Sequence, residues 1–430
     1  MEIKPTRRWP YIGSGSVIVS ATFIALCLLL YLGHLTGWNP TWRTVGVTPL
    51  EPHFFDMHAV TDHAECASKG FNAYILNACD PRTPFNYPPV WLWLGGLGIG
   101  GADSNWLSIL MTGAAFAVMV ALLKGRPISD GAVSTMAILS PSVLMGVERG
   151  NVDLFIFALV GGAAIILNEQ KTSRTLLAGG LIGLAVVLKL YPLFCIALVA
   201  RLNWRTLAFA AALILVSLVY FGTISDYILI IRQNTPTSFM LSYGFKVPFL
   251  GLDHLRAEAG LSPLGLADTW LPTSLTIVTV IFAITTALIG FRRGSSDCTV
   301  ADGVVGTAFL FGAGIYCGTF MLGTNFIYRL MFLLLCLPQL QDWAITNFAN
   351  DNRTVTIARV LLVAILLASW LGGNSNGHST FIFVPQLANW LIFFGLITIL
   401  LLNFLQRAVG FIKRQQRTCP ELVTRGGGSV

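Results

Sequence analysis

Charge is what this sequence has least of. Only 11% of its 430 residues are Asp, Glu, Lys or Arg, about half the share of an ordinary soluble domain. With 55% hydrophobic residues and a mean hydropathy of +0.72, that scarcity excludes a soluble enzyme, a disordered chain and a coiled coil. It excludes an outer-membrane barrel too, whose strands alternate and whose apolar signal is weak per segment. A P-loop and a dinucleotide-binding fingerprint are both missing; the glycine run at 95–101 belongs to a membrane segment. An ATP-driven pump is therefore out, and the lack of an internal repeat weakens a secondary transporter. The eight cysteines show no metal-ligand spacing. The first apolar run is too long for a cleavable signal peptide and lacks a small-residue cleavage site.

What remains is an all-α polytopic membrane protein. A span needs about 20 mostly apolar residues, and the pattern predicts spans at 12–37, 104–123, 131–147, 152–168, 175–191, 206–222, 272–291, 300–322, 327–345, 357–372 and 386–405. Two shorter stretches, 86–100 and 192–200, bring the total to 11–13 transmembrane or half-membrane helices. Basic residues favour the cytoplasmic side of short loops. Treating 86–100 as a juxtamembrane helix, and 192–200 as a returning half-helix, moves Lys124, Arg126, Lys171 and Arg174 inside and gives the better charge bias. Both termini are then cytoplasmic. The chain divides into a module over 1–222 with a first outer loop at 38–86, a second outer loop at 223–271, and C-terminal helices with a tail over 272–430. The net charge of +7 reflects this topology and implies no nucleic-acid partner. A half-length helix is tolerated at depth only beside protein or water, which hints at a cavity near 192–200.

Polar residues that the membrane does not explain fall in four clusters. Asp56 follows two phenylalanines just beyond the first span. It is either a solvated loop acid or the general base that an acceptor hydroxyl would need; Asp62 and Glu65 lie on a helix with Ala59, Ala64 and Ala67, as structural residues or, for Asp62, as a substrate contact. Glu148-Arg149-Gly150-Asn151-Val152-Asp153 packs four polar groups between two apolar runs. Such residues are functional candidates, the alternative being a pair that pins Arg149 to Glu148 or Asp153. Lys189-Leu190-Tyr191-Pro192 sits where proline must end a helix, and a lysine there either snorkels or binds an anionic phosphate. Arg329, after Tyr328 and an Asn325-containing turn, is an interface anchor or a second phosphate ligand. Arg232, Asn234, Tyr243, Lys246 and His254 are too scattered to assign. Asn374-Ser375-Asn376-Gly377-His378 is a weak sugar-contact candidate. Cys66 and Cys79 lie 13 residues apart in the first outer loop and are the disulfide candidates.

Taken in order, Phe55-Asp56 to Asp62, Tyr87-Pro88-Pro89, Arg149-Gly150-Asn151-Val152-Asp153, Leu188-Lys189-Leu190-Tyr191-Pro192 and Tyr328-Arg329 make the chain resemble the GT-C superfamily of integral membrane glycosyltransferases. The likeness is nearest to the polyprenol-phosphate-mannose-dependent branch, with its phosphatidylinositol-mannoside mannosyltransferases and GPI mannosyltransferase I. It implies a sugar donor on a polyprenyl monophosphate and an acceptor that is a lipid or glycan. It also implies inverting transfer outside the membrane, with Asp56 as base. Lys189, Arg329 and Arg149 would hold the phosphate, with Tyr87, Tyr191 and Tyr328 around them. Glu148 and Asp153 would orient Arg149 or the acceptor, and Asn151 would complete the acidic hairpin. No cofactor or metal is assigned. The setting expected is a bacterial inner membrane with the site facing the periplasm. The rival class, a transporter of a lipid or lipid-linked sugar, would not need Asp56 as a base.

Overall fold

The computed structural model describes residues 14–77, 79–167, 171–236, 238–293, 298–345, 352–372 and 383–418. From the N-terminus, α1 (Ser14–Thr36) leads into the short α2 (Trp38–Thr44) and then α3 (Phe55–Ser68). A 3-10 turn at Pro89–Leu92 and the single turn α4 (Trp93–Gly96) precede α5 (Ser104–Leu122). Then come α6 (Ile128–Ile138), α7 (Pro141–Glu148), α8 (Asp153–Ile166) and α9 (Thr172–Leu188). A 3-10 helix over Tyr191–Arg201 returns to α10 (Trp204–Thr223) and α11 (Ser225–Asn234). The strand β1 (Ser242–Tyr243), α12 (Val247–Glu258), α13 (Leu271–Arg292) and α14 (Val304–Phe320) follow. Last are β2 (Asn325–Phe326), a 3-10 helix at Ile327–Leu335, α15 (Leu337–Ile345), α16 (Asn352–Leu371) and α17 (Phe383–Thr418).

Among the described residues, six stretches are long and apolar enough to cross a membrane: α1, Gly101–Leu122, α10, α13, and parts of α16 and α17. The expected single span over 131–147 is two helices, α6 and α7, bent by 62°. The break falls at Ser140-Pro141, where the proline ring sets φ for a new first turn and donates no hydrogen bond. Fewer segments therefore span at full length than the apolar pattern predicts. The reason lies in α8 and α14, which have 14 and 17 residues and so reach only about 21–26 Å. α14 is buried on every side from Gly306 to Phe320. An apolar helix sheathed in protein and one sheathed in lipid have the same composition, and length alone separates them. At Gly312 a Cβ would lie 2.5 Å from the Phe332 carbonyl, and at Gly314 2.4 Å from that of Phe194. Bare glycine faces thus let the two irregular segments, 191–201 and 327–335, lie directly against α14.

The 86–100 stretch is no span. It is two short turns, closed so tightly on α3 that a Cβ on Gly95 would meet the Ala64 carbonyl at 1.9 Å. The second loop, 223–271, is built from α11 and α12 around β1, and β1 pairs antiparallel with β2, Ser242 opposite Phe326 and Tyr243 opposite Asn325. Asn374 to His378 lie outside the described residues.

Candidate active site

The site begins with a backbone junction. The first amides of a helix have no partner within it, and in α3 the N–H groups of Asp56 and Met57 donate to the Arg149 carbonyl at 3.0 and 3.3 Å. Phe54, just before, is left-handed at φ 56°, which turns the chain sharply into α3. Gly150 has φ 59°, and a Cβ there would lie 2.1 Å from Ser108 Oγ and 3.0 Å from Phe54 Cβ. Only glycine satisfies both the conformation and the space. These constraints hold Asp56 against the 148–153 hairpin on one face of the bundle.

Asp56 is half-buried, and its Oδ2 accepts a short hydrogen bond from Asn151 Nδ2. No protein donor reaches Oδ1 among the described residues. Asn151, itself fully buried, spends its oxygen on the Asp153 amide at 2.9 Å, so the side chain cannot flip without losing both bonds. Asp153, at the first turn of α8 and fully buried, lies between two cations. Its Oδ1 accepts from Lys189 Nζ at 2.7 Å and its Oδ2 from Arg329 Nε at 3.2 Å. Lys189 also lies 4.9 Å from the Tyr87 ring centroid, and Arg329 4.9 Å from that of Tyr191. Tyr328 stacks on Phe326.

The alternative reading, a pair that pins Arg149 to Glu148 or Asp153, does not form among the described residues. Glu148 instead accepts from Trp38 Nε1 at 3.2 Å and from the Leu50 amide at 3.0 Å. It thereby ties down the loop that delivers Asp56. The Arg149 side chain is 7% exposed, faces the Phe326 ring at 5.8 Å, and has no carboxylate or hydrogen-bond acceptor among the described residues; its Nε is buried and unpartnered. Two cations share one carboxylate here and Arg149 is paired with none, while Asp56 keeps one oxygen free, so the pocket holds unpaired groups of both signs.

The break after α9 is stabilised by residues outside the four clusters. The carbonyl of Leu188 accepts from Trp91 Nε1 at 2.9 Å and that of Val187 from Tyr220 at 2.8 Å. The groups that Pro192 frees are thus satisfied by the segment before α5 and by α10. Lys189 is left extended, with φ −155°. Asn325 accepts from Arg329, and Asn234 donates to the Tyr74 and Phe85 carbonyls at 3.0 and 2.9 Å. The second loop is so tied to the first. Sequence reasoning left Trp38, Trp91 and Asn234 without roles, since aromatics and loop amides are unremarkable in membrane proteins.

Asp62 stands apart from this centre. It faces His58 at 3.3 Å and pairs with Arg82, which also bonds Asp80 at 2.8 and 2.9 Å. Burial pushes the Asp62 carboxyl up, but the His58 hydrogen bond and Arg82 outweigh it and hold it below its usual value. Asp80 is held low in the same way, burial being outweighed by Arg82. A Cys66–Cys79 disulfide closes this subdomain.

The family model for glycosyltransferase family 87 matches residues 85–313. That match takes in the 148–153 hairpin, Lys189 and the second outer loop. Among solved structures, the crystal structure of ArnT from Cupriavidus metallidurans in the apo state aligns over 93% of this chain and 80% of its own, at 14% identity and a TM-score of 0.36. So weak a likeness identifies no substrate. No curated protein matches the chain.

Proposed function

The chain belongs to glycosyltransferase family 87, and we propose that it moves a sugar, a hexose such as mannose, from a polyprenyl-phosphate donor to an acceptor hydroxyl by single displacement with inversion. The acceptor oxygen attacks the anomeric carbon while its proton passes to Asp56 Oδ1, the carboxylate oxygen that the protein leaves unbonded. The bond between the anomeric carbon and the phosphate oxygen breaks, and the polyprenyl phosphate departs with the electron pair. Arg149, together with the positive charge that Asp153 leaves uncompensated on Lys189 and Arg329, stabilises that growing negative charge. No protein nucleophile is required. Bacterial plasma membrane, a site facing outward and cytoplasmic termini complete the reading, with the acceptor a lipid or glycan.

The observation that carries this is Arg149. A buried charge without a counter-ion costs several kcal/mol, and an arginine held that way beside a half-free carboxylate is matched to an anionic ligand. Its neighbourhood, with Lys189 and Arg329, suits a phosphate, which arginine grips bidentately. A transporter would need the cations but would have no use for a base.

The test is sugar release from a panel of polyprenyl-phosphate sugars by the purified protein in lipid, with lipid and glycan acceptors supplied. Asp56→Asn is expected to lose at least about 10²-fold in turnover while keeping the wild-type melting behaviour. Arg149→Gln is expected to raise the donor KM and lower turnover together. Undiminished release by Asp56→Asn would remove the base from this scheme.

A further inference from the structure

A second cluster of cations lies at the other end of the bundle. α9 runs from Thr172 to Leu188, 17 residues, which is about 25 Å, so its start lies at the far end of that helix from Lys189. The 191–201 helix returns along α14 to that same end and finishes at Arg201. Here Arg201, Arg205, Asn203 and Trp204 border a cleft of about 580 Å³ whose inner wall includes Leu198, Leu167 and Phe209.

Arg201 is the unusual member. Its guanidinium donates to Thr307 Oγ1 at 2.6 Å and to the Ala301 and Gly303 carbonyls at 2.6 and 3.1 Å, all neutral acceptors. Its Nε is buried without a partner. One carboxylate, Asp302, also lines this cleft; it is solvent-exposed and paired with Arg407 at 3.0 Å. Arg205 projects free beside it. The cleft thus presents two arginines, neither in a direct ion pair among the described residues, against one carboxylate that Arg407 already engages, with an apolar wall behind and Trp204, 75% exposed, at the rim. Exposed tryptophan at a helix start is the signature of the lipid headgroup layer.

We propose that this cleft binds the phosphate-bearing headgroup of an anionic membrane lipid, on the face opposite Asp56. The arginines take the phosphate, and Leu198 and Phe209 take the glycerol end of the acyl chains. A cleft of this size is in the range of organic ligand sites, far larger than inorganic phosphate needs, and the apolar wall has no use for a free ion. The site does not depend on the transfer reaction, so either assignment can fail alone.

The experiment is lipid retention by the whole chain in nanodiscs of phosphatidylcholine with and without phosphatidylglycerol, read by native mass spectrometry after release into detergent. Wild type is expected to retain phosphatidylglycerol in preference to phosphatidylcholine. Arg205→Gln, which alters only an exposed side chain, is expected to hold it about fivefold more weakly. Arg201→Gln should abolish the preference if it folds; Arg205→Gln keeps the test decisive if it does not. Retention unchanged in Arg205→Gln, or no preference in wild type, overturns the proposal. Displacement of the lipid by millimolar inorganic phosphate overturns the lipid assignment in favour of a soluble phosphate compound.

Discussion

At the scale of the residue, the site separates two kinds of carboxylate. Asp56 is half-buried, with one oxygen free of protein donors, while Asp153 is fully buried with both oxygens engaged by cations. Removing the charge from each should therefore have opposite signatures. Asp153→Asn leaves Lys189 and Arg329 buried against a neutral amide, and breaking such a buried pair costs about 3–5 kcal/mol. The expected outcome is a protein that inactivates much faster at fixed temperature than wild type, measured by fluorescence-detected size exclusion. An Asp153→Asn variant as durable as Asp56→Asn would show that the triad does not support the fold. The role of Asp153 was only partly legible in the sequence. An acid four residues after Arg149 suggested a local ion pair, but its partners come from 36 and 176 positions away, a separation that no spacing rule reaches.

At the scale of the element, the first outer loop is a small polar subdomain resting on α3. The Cys66–Cys79 disulfide closes it, and Arg82 bridges Asp62 and Asp80. Both carboxyls are held below their ordinary value in the folded chain, which for aspartate is about 3.9. Groups depressed on folding add stability above the unfolded pKa and lose it as pH falls through the folded one. The brace is therefore expected to persist from pH 7 to about pH 4 and to loosen below that. Hydrogen exchange over residues 58–85, corrected for intrinsic rate, checks this; loss of protection already between pH 6 and 5 would contradict it. The helices themselves were readable from hydropathy except where burial imitates lipid, as in α14, or where a proline divides an apolar run, as at Pro141.

At the scale of the whole molecule, one face gathers Asp56, the hairpin and Arg329. The other gathers cationic anchors. Arg126 pairs with Asp130 and Asp342 and bonds the Pro338 carbonyl, and its own carbonyl takes the Gly15 amide. The Ala301 amide reaches Gln339 on that same face, next to Arg201. α5 joins the two faces, from Ser104, whose hydroxyl meets Thr61 of α3 at 2.7 Å, to Leu122, just before Lys124. With the Asp56 face outward, an impermeant maleimide on intact cells should label Ala259→Cys, exposed beyond α12, and leave Lys124→Cys untouched. The reverse pattern would invert the molecule and the proposed site with it.

The sequence by itself determined the solvent and singled out the charges that stand in it. So few charges in so apolar a chain require a membrane. Of the ionisable residues that remain within it, Asp56, Arg149, Asp153, Lys189 and Arg329 gather at one site in the structure. That is legible because a charge near lipid is expensive wherever it stands, so its presence alone is informative. Only the tertiary structure decided which charges neutralise each other. Asp153 joined Lys189 and Arg329, Glu148 took Trp38 and Leu50, and Arg149 was left with neither. Pairing depends on where irregular segments halt against α14 and on a glycine at 150 that admits Phe54 and Ser108. Those are distances between backbones far apart in the chain, and local pattern carries no record of them.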